Sequence, residues 1–156
     1  MRGILEDVDR LPKATRKNVL ILKYYSFENY FFNPAVMARL GIVESEDVFY
    51  RTLYGKWREY LYRIRSGQQL MEVLGRDFSS PEDMKEHMEE VRTFLRGHNL
   101  YDIFYGPFRD REKEILRAYI DLAPKEDFKD ILDAIDRFVY LTAGKDLRMK
   151  GGQRRV

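Results

Sequence analysis

Asn18-Val19-Leu20-Ile21-Leu22, followed by Lys23-Tyr24-Tyr25-Ser26-Phe27-Glu28-Asn29-Tyr30-Phe31-Phe32-Asn33-Pro34, is the stretch on which the fold turns. Residues 19–22 are a continuous aliphatic run without polar alternation, the pattern of a strand covered on both faces, as in parallel sheets. The segment behind it holds six aromatics among the nine residues from Tyr24 to Phe32. Their expected use is to cover the edge of the strand and fill the core, although Tyr24 and Tyr25 could stack on bases if exposed. Ser26 is placed to N-cap a short helix carrying Phe27 to Phe32. Asn33-Pro34 can restart one as N-cap and first helical residue, with Gly41 ending it. A strand followed by helices gives the expectation of an α/β fold, helix-rich, with a small parallel-type sheet and several packed helices.

Further along, the pattern is helical. Ser45 with Glu46 and Asp47 opens a long helix expected to reach about Ser66. On it Phe49, Leu53, Trp57, Tyr60 and Ile64 share one face, and Arg51, Tyr54, Arg58, Tyr62 and Arg65 share roughly the opposite one. Ser80-Pro81-Glu82-Asp83 starts another helix expected to run to Gly97, with Asn99 to Tyr105 adding a turn. Phe108 to Leu122 and Glu126 onward give two more, the last spaced by Phe128, Ile131, Leu132, Ile135, Phe138 and Val139. Phe138 to Leu141 fits the end of that helix or a terminal strand equally, since periodicity does not separate the two.

A chain of 156 residues fits one hydrophobic core. The expected organisation is a single domain over 1–149 with a flexible basic tail over 150–156. Zero cysteines remove a disulfide framework, a zinc-thiolate site and a thiol nucleophile. No charged leader precedes an apolar stretch and no uncharged run approaches the roughly 20 residues of a membrane span, so a cytoplasmic protein without membrane contact is expected. The formal charge of +2 hides a mixture in which 35% of residues are charged. Lys13, Arg16, Lys17 and Lys23 load the front, Lys145, Arg148, Lys150, Arg154 and Arg155 the tail, and acids gather around Glu82 to Glu90. His87 and His98 lack a second histidine or cysteine at ligand spacing, which points to surface or satisfied roles.

Four positions carry candidate chemistry. Asp7 and Asp9, at i and i+2, face the same side if extended and could share a hard cation such as Mg²⁺ (or Mn²⁺) with substrate phosphate; as a solvated turn the pair would do nothing. Glu28 in a first helical turn is either a partner of the helix dipole or an acid beside those aspartates. Lys145 after Gly144 can place a charge on a phosphate, or is a surface lysine after a capping glycine. No glycine-rich phosphate loop surrounds it. Arg51, Arg58 and Arg65, interleaved with tyrosines, form a stripe that could track a phosphodiester backbone, with Lys145 and Arg148 adding charge; the plain alternative is a solvated face partnered by acids.

The run Gly3-Ile4-Leu5-Glu6-Asp7-Val8-Asp9-Arg10, the Val19 to Lys23 segment, Ser26-Phe27-Glu28-Asn29-Tyr30 with Asn33-Pro34, and the late Gly144-Lys145 together resemble the C-terminal part of a Toprim-like domain. The version it is similar to is that of OLD-family (overcoming lysogenization defect) nucleases and related proteins found with ABC-type ATPases. The resemblance implies that Asp7 and Asp9 are metal ligands, Glu28 an accessory acid and Lys145 the contact to the scissile phosphate. It also implies an earlier strand ending in a glutamate, which Met1 begins too late to include. A missing N-terminal half, another polypeptide or an ATPase partner would then complete the site. The expected function is Mg²⁺-dependent binding and cleavage of nucleic-acid phosphodiesters. The alternative is a non-catalytic helical module that binds a protein or nucleic-acid partner through its aromatic and basic faces.

Overall fold

The computed structural model describes residues 23–24 and 26–136, and among these every regular element is a helix. The α/β expectation with a small parallel sheet is therefore replaced by an all-α architecture. Asn18 to Leu22, whose aliphatic run carried the strand expectation, lies outside the described residues. Among the described residues, Tyr30, Phe31 and Phe32 of the aromatic segment are buried in a helical core. Phe31 packs edge-on against Tyr119 with centroids 5.1 Å apart, and Phe32 lies 6.0 Å from Tyr105 in the same manner. Tyr24 is buried, its hydroxyl donating to Glu89 at 3.2 Å, so it is no exposed stacking platform.

Up to Leu122, the described residues form α-helices after a 3₁₀ turn over Phe27–Phe31: α1 Pro34–Arg39, α2 Glu46–Glu59, α3 Arg65–Leu74, α4 Pro81–Glu86, α5 Met88–Phe94, α6 Gly97–Tyr105 and α7 Glu112–Leu122. Local chemistry sets several of the starts. Asn33 accepts from the Ala35 amide at 3.1 Å, Ser45 from Val48 and Ser80 from Asp83 at the same distance, each satisfying an N-terminal amide that the helix leaves open. Gly41 and Gly75, after α1 and α3, take left-handed φ of 73°, which only glycine adopts without strain.

The chain divides into two compact units, one of them Lys23–Pro124. Within it α2 packs against α1 and α4, α3 against α5, α1 against α7, and α6 against the Phe27–Phe31 turn. The inner face of α2 is Phe49, Leu53 and Trp57, all essentially without solvent contact. Phe49 stacks on Phe104 of α6 at 4.6 Å, and Trp57 meets Phe78 edge-on at 5.1 Å while its indole donates to Asp77 at 2.7 Å. In the other unit, Lys125–Phe128 forms a 3₁₀ turn and residues 129–136 are helical. No helix among the described residues is long and apolar enough to cross a membrane.

Three helices differ from the sequence expectation. The long helix from Ser45 stops at Glu59, because Tyr60 leaves helical geometry at φ −154° and a 3₁₀ turn over Leu61–Arg63 redirects the chain into α3. The helix from Pro81 breaks at His87, at φ −114°, into α4 and α5. A 3₁₀ segment over Gly106–Arg111 delays α7 to Glu112.

Candidate functional site

Glu28 is the one proposed catalytic residue within the described chain. Its turn is anchored from below by Asn29, which is fully buried. The Asn29 amide donates to the carbonyls of Arg92 and Leu95 at 2.7 and 2.8 Å, and its oxygen accepts from the Ser26 hydroxyl at 2.8 Å. Ser26 thus holds Asn29 and does not cap the turn. Gly97 leaves room for this knot: a Cβ there would lie 2.3 Å from Asn29 Oδ1 and 2.7 Å from Ser26 Oγ. With Asn29 turned inward, Glu28 faces outward beside an open crevice of about 230 Å³ lined by Ser26, Glu28, Arg96, Gly97 and His98.

Across that crevice Glu28 Oε1 lies 3.8 Å from His98 Nδ1, and the other ring nitrogen lies 3.5 Å from Asp102 Oδ2. Asp102 also pairs with Arg109. The imidazole thus stands between two carboxylates, which interact with opposite edges of the ring. A hard divalent cation needs several oxygens converging on one point. Glu28 and Asp102 approach opposite ring nitrogens, so the described residues do not by themselves complete a Mg²⁺ shell. The nearby phenols of Tyr101 and Tyr105 are pushed up by burial, with Glu112 adding to the effect on Tyr101. They act as hydrogen-bond donors, Tyr101 to Glu112 at 2.6 Å and Tyr105 to the Phe31 carbonyl. Asp7, Asp9, Lys145 and Arg148 lie outside the described residues.

The basic stripe is present in part. Arg51 and Arg58 are exposed on α2, separated by two helical turns, and Tyr54 is half-buried between them. Each has a solvent-facing acid partner: Asp47 lies 3.7 Å from Arg51 and Asp77 lies 3.6 Å from Arg58. Such pairs contribute about 0–1 kcal/mol and separate easily. The single helical face stretching to Arg65 is not formed, because the break at Tyr60 places Arg65 at the first residue of α3. Between them, the Arg63 guanidinium sits 5.2 Å from the Tyr62 ring centroid and its Nε donates to the Tyr62 hydroxyl at 2.7 Å. Sequence reasoning passed over Arg63, whose position is fixed by a 3₁₀ turn that helical periodicity does not foresee.

A third cluster was not visible in the sequence. The ligand atoms of Asp83, Glu86 and His87 lie within 4.8 Å of one another, a spacing that a metal ion could bridge. Asp83 is already engaged. It takes a two-pronged Arg76 guanidinium at 2.6 and 2.7 Å and the Ser79 amide at 2.9 Å, while His87 Nδ1 lies 3.0 Å from its carbonyl. Arg76 above all, then the Ser79 amide, holds the Asp83 carboxyl well below the usual carboxylate range against the opposing effect of burial. The cluster is a clamp on the entry to α4.

A scan against protein-family models, a search of curated proteins and a search of solved structures each found no match. None of the three identifies a Toprim or OLD-family relationship.

Proposed function

We propose that this chain binds nucleic acid through the basic and aromatic surface running from α2 into the start of α3. The observation that carries the reading is the exposure of Arg51 and Arg58 around the half-buried Tyr54, with Arg63 and Arg65 also exposed on the segment that follows. From Arg51 to Arg65 there are five cations and one acid, Glu59, which pairs with Lys56 at 3.0 Å. Arginines in this density pair with phosphates and release condensed counterions, so affinity should fall steeply with salt. The test is fluorescence anisotropy of a labelled oligonucleotide with wild type and with Arg51→Ala/Arg58→Ala/Arg65→Ala. Loss of about a hundredfold or more in affinity at constant melting temperature is expected; undiminished binding by the variant would remove the reading.

Mg²⁺-dependent cleavage of the bound strand is the second reading, favoured by one observation. Glu28 is held outward by the buried Asn29 and remains outside the core, beside an open crevice. In this reading Asp7 and Asp9 hold Mg²⁺ or Mn²⁺, Lys145 meets the scissile phosphate, and an ATPase partner or a further polypeptide supplies the remaining acid. Calorimetric Mn²⁺ titration of wild type and of Asp7→Asn/Asp9→Asn, with a nuclease assay on the same samples, tests it. Metal binding lost in the double variant supports a site, and a wild type that binds no metal overturns it.

A further inference from the structure

We propose that the nucleic acid bound at the α2–α3 surface is single-stranded, with Tyr62 and Arg63 forming a stacking platform for an unpaired base. The inference rests on the nucleic-acid reading above and names the substrate class of that same surface.

Five tyrosines among the described residues tie the fold together. Tyr24 donates to Glu89, Tyr101 to Glu112 and Tyr105 to the Phe31 carbonyl, while the hydroxyls of Tyr30 and Tyr119 accept from the amides of Lys23 and Asn33. All five are buried and bind one part of the fold to another. Tyr54 and Tyr62 do neither. Both retain solvent exposure, Tyr54 has no hydrogen-bond partner among the described residues, and the Tyr62 hydroxyl accepts from its exposed neighbour Arg63. Each stands next to exposed arginines, so these partly exposed rings have positive charge beside them.

A base in a duplex has both faces covered by its neighbours, whereas an unpaired base can stack on an aromatic ring or a guanidinium plane. Arg63 approaches Tyr62 from the hydroxyl end of the ring, with Nε on the phenol oxygen and the guanidinium 5.2 Å from the ring centroid, so positive charge stands at the rim of the ring. A base stacked on that ring would have the guanidinium beside it. The chain path favours the same class of ligand. The cations of α2 lie along one helix axis, but the turn at Tyr60 and the 3₁₀ segment Leu61–Arg63 shift Arg63 and Arg65 off that axis. A flexible strand can follow such a bent track, while a stiff duplex meets only one straight part of it.

The test compares a labelled 20-nucleotide oligo(dT) with a 20-base-pair duplex of the same length, by anisotropy at fixed salt on the full chain. Wild type should bind the single strand at least tenfold more tightly. Tyr62→Ala should weaken single-strand binding about tenfold and leave duplex binding unchanged, and Tyr62→Phe should restore it, since the ring and not the hydroxyl makes the stack. Equal affinity for both forms, or an unaffected Tyr62→Ala, overturns the single-strand inference. If both forms bind and the triple arginine variant loses both, the nucleic-acid reading survives that failure. If neither form binds, both fall.

Discussion

Two glycines in the described chain have opposite reasons for being there. Gly67, in the first turn of α3, lies so close to the preceding 3₁₀ segment that a Cβ would sit 1.8 Å from the Leu61 carbonyl oxygen. Backbone, and not a flexible side chain, would have to move. Gly67→Ala should therefore destabilise by about 3 kcal/mol or more, read as a lower urea midpoint. Gly55, in the middle of α2, has nothing within 4 Å of its virtual Cβ and carries no special φ. Gly55→Ala should stabilise by about 0.5–1 kcal/mol through helix propensity alone. The pair checks whether the close return of α3 on Leu61 forces the end of α2. If Gly67→Ala were as harmless as Gly55→Ala, the break at Tyr60 would need another cause.

At the scale of elements, the Arg76–Asp83 clamp joins the segment after α3 to the first turn of α4, where the Asp83 amide donates to Ser80 Oγ. The folded-state Asp83 carboxyl lies below its unfolded value, so its contribution to stability is present above about pH 4 and is lost as pH falls towards the folded value. Asp83→Asn should cost about 2 kcal/mol at pH 7, a figure kept small because Arg76 is half exposed. The gap between wild type and variant should narrow below pH 4, as followed by urea unfolding from pH 7 to pH 2. A constant gap across that range would show that the charge on Asp83 is not what holds the element. The start of α4 was legible, because Ser80-Pro81 names a cap and a first helical residue. Its partner Arg76 was not, since nothing local marks a guanidinium reaching seven residues forward. For the same reason the ends at Tyr60 and His87 escaped sequence reading: apolar spacing runs through both, and neither carries glycine or proline to announce a break.

At the scale of the whole molecule, the helical readings from Asn33 onward carried over in kind, while the sheet rested on one aliphatic run, Val19 to Leu22, and on an aromatic segment that instead fills a helical core. The same division applies to function: Arg51, Arg58 and Arg65 lie on described helices, whereas Lys145 and Arg148 lie outside the described residues. Salt dependence can measure both sets in the intact chain without any assumption about where the two units stand. Each phosphate contact to a single strand adds about 0.7 to the slope of log affinity against log salt. If Arg51, Arg58 and Arg65 each meet a phosphate, their triple alanine variant should lower that slope by about 2. Lys145→Ala/Arg148→Ala should lower it by about 1.4 if both tail cations reach the strand as well. A slope that responds to the helical arginines alone would confine the binding surface to the Lys23–Pro124 unit and deprive the cleavage reading of its phosphate contact. A slope that responds only to Lys145 and Arg148 would move the interface to the tail, and the α2 cations would then be a solvated face with Asp47 and Asp77 as their partners.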